Sequence, residues 1–163
     1  MKLLKFLFIF LAALLIAGSA DASEFKITGG EILDYGPAIF AVKKIPDKMS
    51  EVRVKFLNQT TDIVGRPTGS FGIRYRIDGE PKGEIIKAII KIKFPKEGIL
   101  KDGILSSGIK NLASLKLGNI YRAGFAWQPD DRVVFGKYTI QVTVDNDVIV
   151  EKEFNVVQKL AEK

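Results

Sequence analysis

The stretch Lys137-Tyr138-Thr139-Ile140-Gln141-Val142-Thr143-Val144, followed by Asp145-Asn146-Asp147 and the run from Val148 to Val157, decides the fold class. Tyr138, Ile140, Val142 and Val144 recur at every second position against Thr139, Gln141 and Thr143, the pattern of a strand with one buried face. β-branched and aromatic residues fit such a surface. Asn and Asp tolerate positive φ, so 145–147 predicts a tight hairpin turn and 148–157 its return strand. The same period sets Val52, Val54 and Phe56 against Arg53 and Lys55, and Phe71, Ile73, Tyr75 and Ile77 against Arg74 and Arg76.

Turn chemistry separates these runs at Tyr35-Gly36-Pro37, at 65–69, at 78–83 and at Gln128-Pro129-Asp130-Asp131. Roughly seven or eight short strands follow, with no helix long enough for a crossover, which predicts an all-β chain folded as an antiparallel immunoglobulin-like β-sandwich. A small β-barrel is the alternative. Residues 98–118 fit least, because Ile99, Leu100, Ile104, Leu105, Ile109, Leu112, Leu115 and Leu117 recur irregularly among glycines and serines. They read as a long connection holding one helical turn. Residues 158–163 read as a frayed end.

The start of the chain has another logic. Lys2 and Lys5 precede an apolar run from Phe6 to Ala17, and Ala20-Asp21-Ala22 places small residues where signal peptidase reads them. A retained membrane anchor would need about 20 apolar residues, more than this run supplies. The reading is a signal peptide at 1–22, cleaved between Ala22 and Ser23, then one domain at 23–163 that is periplasmic or secreted, with no transmembrane span after signal removal. Lys2, Lys5 and Asp21 leave with the signal, taking the formal net charge from +6 to +5. That balance does not point to nucleic acid.

Composition closes off much chemistry. Of 163 residues, 47% are hydrophobic and 27% charged, enough for one sizeable core. There is no cysteine and no histidine. Disulfides, thiolate nucleophiles, cysteine metal sites and every Ser-His-Asp or Cys-His arrangement are therefore impossible.

The segment Thr61-Asp62-Ile63-Val64-Gly65-Arg66-Pro67, running into Phe71-Gly72-Ile73-Arg74-Tyr75-Arg76 and Gly79-Glu80-Pro81-Lys82-Gly83, carries a likeness. It continues through Lys93-Phe94-Pro95, Gly98, Phe125, Trp127 and Phe154-Asn155-Val156, so it spans nearly the whole chain after the signal. On these residues the chain resembles the exported bacterial family known as domain of unknown function 3859. It departs at Phe135-Gly136, where that pattern has Pro-Gly and a second Trp. The resemblance implies an exported β-rich domain of bacteria with two membranes, without an assigned activity.

Each chemically suggestive group has a plainer role. Asp130 and Asp131 sit in a turn and lack the alternating oxygen ligands and glycine of a calcium loop, and the same holds for Asp145-Asn146-Asp147. Ser106 and Ser107 lie near Lys101 and Lys110, but a Gly/Ser stretch gives no basis for a Ser-Lys nucleophile. The glycine-flanked 65–69 segment lacks the ending and following helix of a phosphate loop. Trp127 is a core tryptophan before it is a sugar platform. Asn58-Gln59-Thr60 receives no glycosylation role. No catalytic residue, cofactor or metal is assigned.

What remains is a basic face. If 78–83 is a hairpin turn centred between Glu80 and Pro81, Phe71 faces Ile90, Ile73 faces Ala88, and Tyr75 faces Ile86. Arg74 then opposes Lys87 on the outer face, beside Arg76, Lys91 and Lys93, with Ile85 and Ile89 between and no carboxylate interrupting. Opposed like charges are destabilising, so such a cluster points to an anionic envelope component or an acidic protein. The expected function is a non-enzymatic exported binding domain. A hydrolase or lyase using carboxylates and lysines is one alternative, and a chaperone-like donor of an edge strand is another.

Overall fold

The computed structural model describes residues 25–43, 51–101 and 103–159. The expected signal peptide at 1–22 and its expected cleavage between Ala22 and Ser23 lie outside the described residues. Among the described residues eleven strands follow one another: β1 (Lys26–Lys43), β2 (Glu51–Phe56), β3 (Asp62–Val64), β4 (Ser70–Glu80), β5 (Ile85–Lys93), β6 (Ile99–Lys101), β7 (Ile104–Ser106), β8 (Gly108–Lys116), β9 (Ile120–Ala126), β10 (Gly136–Val144) and β11 (Asp147–Val157). They form a four-stranded sheet in the order β2-β1-β4-β9, a five-stranded sheet in the order β3-β11-β10-β5-β8, and the small hairpin β6-β7. Among the described residues no sheet closes into a barrel, and the sandwich expected from the alternation is present.

The alternation holds where it was strongest. Phe71, Ile73, Tyr75 and Ile77 of β4 are buried to within 1% of their surface, and Tyr138, Ile140, Val142 and Val144 of β10 to within 2%. The 145–147 turn closes with positive φ at Asp145 (50°) and Asn146 (74°), as a tight hairpin requires. Both sheets contribute rings to one aromatic cluster. Phe71 lies 4.9 Å from Phe154 across the sandwich, and Trp127 packs edge-on against Phe125 at 5.4 Å. Tyr138 and Phe94 complete it. Trp127 is 2% exposed, so its indole face meets the core and is no sugar platform.

Three expectations are corrected. Tyr35-Gly36-Pro37 is no turn, because β1 runs straight through it and passes from pairing with β4 to pairing with β2. Gly36, at φ 129°, permits this, since a Cβ there would collide with the carbonyl oxygen of Asn58. The 98–118 region contains β6, β7 and β8 in place of a connection with a helical turn. Its alternation is blurred because β8 pairs on one side only and leaves Ile109 and Leu112 exposed.

The third correction changes the site. β4 and β5 are not a hairpin: β4 lies between β1 and β9, while β5 lies between β10 and β8 in the opposite sheet. The 81–84 turn carries the chain across the sandwich. Phe71, Ile73 and Tyr75 therefore pair with Phe125, Ala123 and Tyr121. Ile86, Ala88 and Ile90 pair with Leu115, Ala113 and Asn111. A hairpin and a crossover present the same turn residues, and backbone pairing decides between them.

Candidate functional site

The crossover splits the expected basic face. Arg74 and Arg76 point outward from the four-stranded sheet, and Lys87, Lys91 and Lys93 from the five-stranded one, on opposite sides of the molecule. The arginines also have partners. Register places Asp34 directly opposite Arg74 and Glu31 opposite Arg76. The Arg74 guanidinium lies 3.5 Å from Asp34, and that of Arg76 lies 2.9 Å from Glu31 and 2.8 Å from Asp78. The expectation that no carboxylate interrupts the cluster is overturned for this half.

The lysine half gains members. Strand β8 places Lys116 opposite Ile85, Ser114 opposite Lys87, Leu112 opposite Ile89, and Lys110 opposite Lys91. Cross-strand partners share a face, so the outer positions of β5 and β8 read Ile85, Lys87, Ile89, Lys91, Lys93 and Gly108, Lys110, Leu112, Ser114, Lys116. None is acidic. All five lysines are exposed, as are Leu112 (73%) and Ile85 (57%). Lys87 Nζ donates to Ser114 Oγ at 2.8 Å, holding that corner of the face.

Lys91, Lys93 and Lys110 line one open depression of about 390 Å³ with Phe94, Ser107, Gly108 and Ile109. Lys91 and Lys110 are directly opposed like charges, an arrangement that an anion between them would relieve. The sequence reading missed Lys110 and Lys116 because it took their strand for a connection. The available signal was the alternation of Lys110, Leu112, Ser114 and Lys116 with Ile109, Ala113 and Leu115.

Glu151 and Glu153 lie elsewhere on the same sheet and are engaged. Glu151 accepts from Gln141 Nε2, and Glu153 lies 3.0 Å from Lys137 Nζ. Both line an open depression of about 510 Å³ with Thr61, Lys152 and Asn155. A narrower cleft of about 320 Å³ opens between the sheets beside β8, walled by Phe94, Ile99, Ile109 and Phe125, with Asp131 as its acid. Asp131 Oδ2 accepts from the Gln128 amide at 2.6 Å, a turn-capping role. Ser106 Oγ donates to the Gly108 carbonyl at 2.7 Å, which gives that serine a structural part. Among the described residues no three of His, Cys, Asp and Glu gather closely enough for a metal ion, and no helix is long and apolar enough to cross a membrane.

No family model matches the chain, and no curated protein matches it. Among solved structures it is similar to an immunoglobulin-like protein from Pseudomonas aeruginosa, with 21% identity and a TM-score of 0.56 over 83% of this chain and 98% of that one. An alkylpurine DNA glycosylase from Pseudomonas fluorescens matches 59% of this chain and 27% of its own, at 12% identity and a TM-score of 0.40, which is too loose to carry an argument. The first likeness and the two-sheet topology define an immunoglobulin-like β-sandwich. At that identity the likeness speaks for the fold alone.

Proposed function

We propose that the protein is an exported, non-enzymatic binding domain of the bacterial family it resembles, and that the outer face of β5 and β8 takes an anionic group of an envelope component or an acidic protein. The observation that carries this reading is the depression lined by Lys91, Lys93 and Lys110, with no carboxylate at any outer position of the two strands. Lys87 and Lys116 extend the positive field along the sheet. Arg74 and Arg76 have no part in it, since each already faces an acid. The signal at 1–22 supports a periplasmic or secreted location. Against a histidine-free hydrolase stands the engagement of Glu151 and Glu153 with Gln141 and Lys137.

The test is retention on a polyphosphate column and on anionic vesicles as salt rises. A variant with Lys91, Lys93 and Lys110 changed to Ser is compared with a control losing Lys26, Lys55 and Lys159, all exposed positions. The expected result is elution of the first at clearly lower salt than the control. Equal loss in both means that only net charge is sensed, and the reading fails.

A further inference from the structure

Strand β8 ends the five-stranded sheet and is the longest described edge strand, with nine residues against seven in β9, six in β2 and three in β3. Its hydrogen bonding can be read residue by residue. Just beyond its two ends the Phe94 amide donates to the Ser107 carbonyl at 2.9 Å, and the Leu117 amide to the Glu84 carbonyl at 2.9 Å. Bonded pairs alternate along an antiparallel ladder, so 109, 111, 113 and 115 bond to β5, while 108, 110, 112, 114 and 116 turn their N–H and C=O groups away from it.

The ends of that outward row are closed. Gly108 exchanges hydrogen bonds with Ser106 Oγ. The Lys116 amide donates to Tyr121 Oη at 2.6 Å, and its carbonyl accepts from the Asn119 amide at 3.2 Å. Among the described residues nothing meets the N–H and C=O groups of Lys110, Leu112 and Ser114. An edge is thus left open over five residues and capped on either side, a length suited to one short added strand of roughly 17 Å.

We infer that this open segment of β8 accepts an extended, acidic-apolar segment of a partner protein by strand addition, a proposal that rests on the binding reading above and names its partner. Side chains of an added strand would alternate like those of β8. Those on the outer face stand beside Lys110, Leu112 and Ser114, where Lys91, Lys87 and Lys116 surround them and no acid competes. Carboxylates suit the first and third of these positions, and an aliphatic residue suits the middle one, over exposed Leu112. Those on the inner face lie beside Asn111 and Ala113, toward the cleft walled by Ile109, Phe94 and Phe125. Charge complementarity selects an acidic segment, and the unmet backbone groups select an extended one.

The probes are a synthetic peptide of about seven residues centred on Glu-Val-Val-Val-Glu, which sets Glu, Val and Glu on the outer face and Val on the inner one, and polyphosphate, which carries charge without a backbone to pair. Peptide binding should slow amide exchange at Lys110, Leu112 and Ser114 in the full chain. Leu112→Pro removes an outward N–H while leaving every bond to β5 and every charge in place. It should weaken the peptide about tenfold, as loss of a central hydrogen bond implies, and leave polyphosphate retention unchanged. Lys91→Ser with Lys110→Ser should weaken both. If polyphosphate is retained but the peptide does not bind, or binds without protecting those amides, strand addition is wrong and the anion-binding reading stands. Full peptide affinity in Leu112→Pro also overturns it, as does protection of those amides in the free protein. Should Leu112→Pro not fold, the exchange measurement on the unaltered chain decides. If neither probe is retained, both proposals fall.

Discussion

The two outer faces of the sandwich both carry cations and treat them in opposite ways. On the four-stranded sheet Arg74 and Arg76 stand directly across from Asp34 and Glu31, and each guanidinium is paired. On the five-stranded sheet Lys91 stands directly across from Lys110, and the nearest acids in register are two strands away, at Glu151 and Glu153 on β11. Arg74 and Arg76 are thus neutralised within the chain, although Arg122 of β9 also stands opposite Arg74. The second face keeps its positive field for something outside the chain. Charge count in the sequence does not separate the two faces; the pairing partner of each strand does.

The strongest test of the frame that both faces share is Phe71→Ala. Phe71 is fully buried and touches Phe125, Trp127, Tyr138 and Phe154. Removing it should cost about 3–5 kcal/mol in chemical denaturation and disable both faces together. A loss under about 1 kcal/mol, as at a surface site, would mean that the cluster does not join the sheets.

Alkaline pH probes the same joint without a mutation. Burial raises the Tyr75 phenol, helped by neighbouring Tyr121, and burial pushes Tyr138 up to about 12 despite a smaller lowering by the nearby Trp127 indole. In the unfolded chain both titrate near the ordinary value of 10.0. The folded state thus holds these protons more tightly. That stability is fully present below pH 10.0 and is lost as pH rises toward about 12. Thermal melts should show the midpoint falling over that window, and Tyr75→Phe should reduce the slope. A flat profile would place these phenols in water.

Two smaller effects separate the faces by sign. Arg76→Ala breaks contacts to Glu31 and Asp78 and should destabilise by up to about 1 kcal/mol, less at high salt. Lys110→Glu turns an opposed like pair into an opposite one and should stabilise by a few tenths of a kcal/mol. The same change should move polyphosphate elution to lower salt. Equal signs for the two substitutions would erase the distinction between a neutralised face and an uncompensated one.

The sequence by itself determined which side chains face inward wherever two-residue alternation was clean, as in β4 and β10, because a strand sends successive side chains to opposite faces whatever its neighbour is. It determined the turns at 145–147 and 65–69, and it removed histidine and cysteine chemistry outright. It did not determine which strand lies beside which. The 81–84 turn would serve a hairpin as well as a crossover, since pairing is made by backbone groups common to all residues and is fixed only when both sheets bury their apolar faces together. For the same reason Lys110 and Lys116 were hidden in a stretch whose alternation is blurred by its edge position. Tertiary structure alone brought them to Lys87, Lys91 and Lys93, and sent Arg74 and Arg76 to the other side.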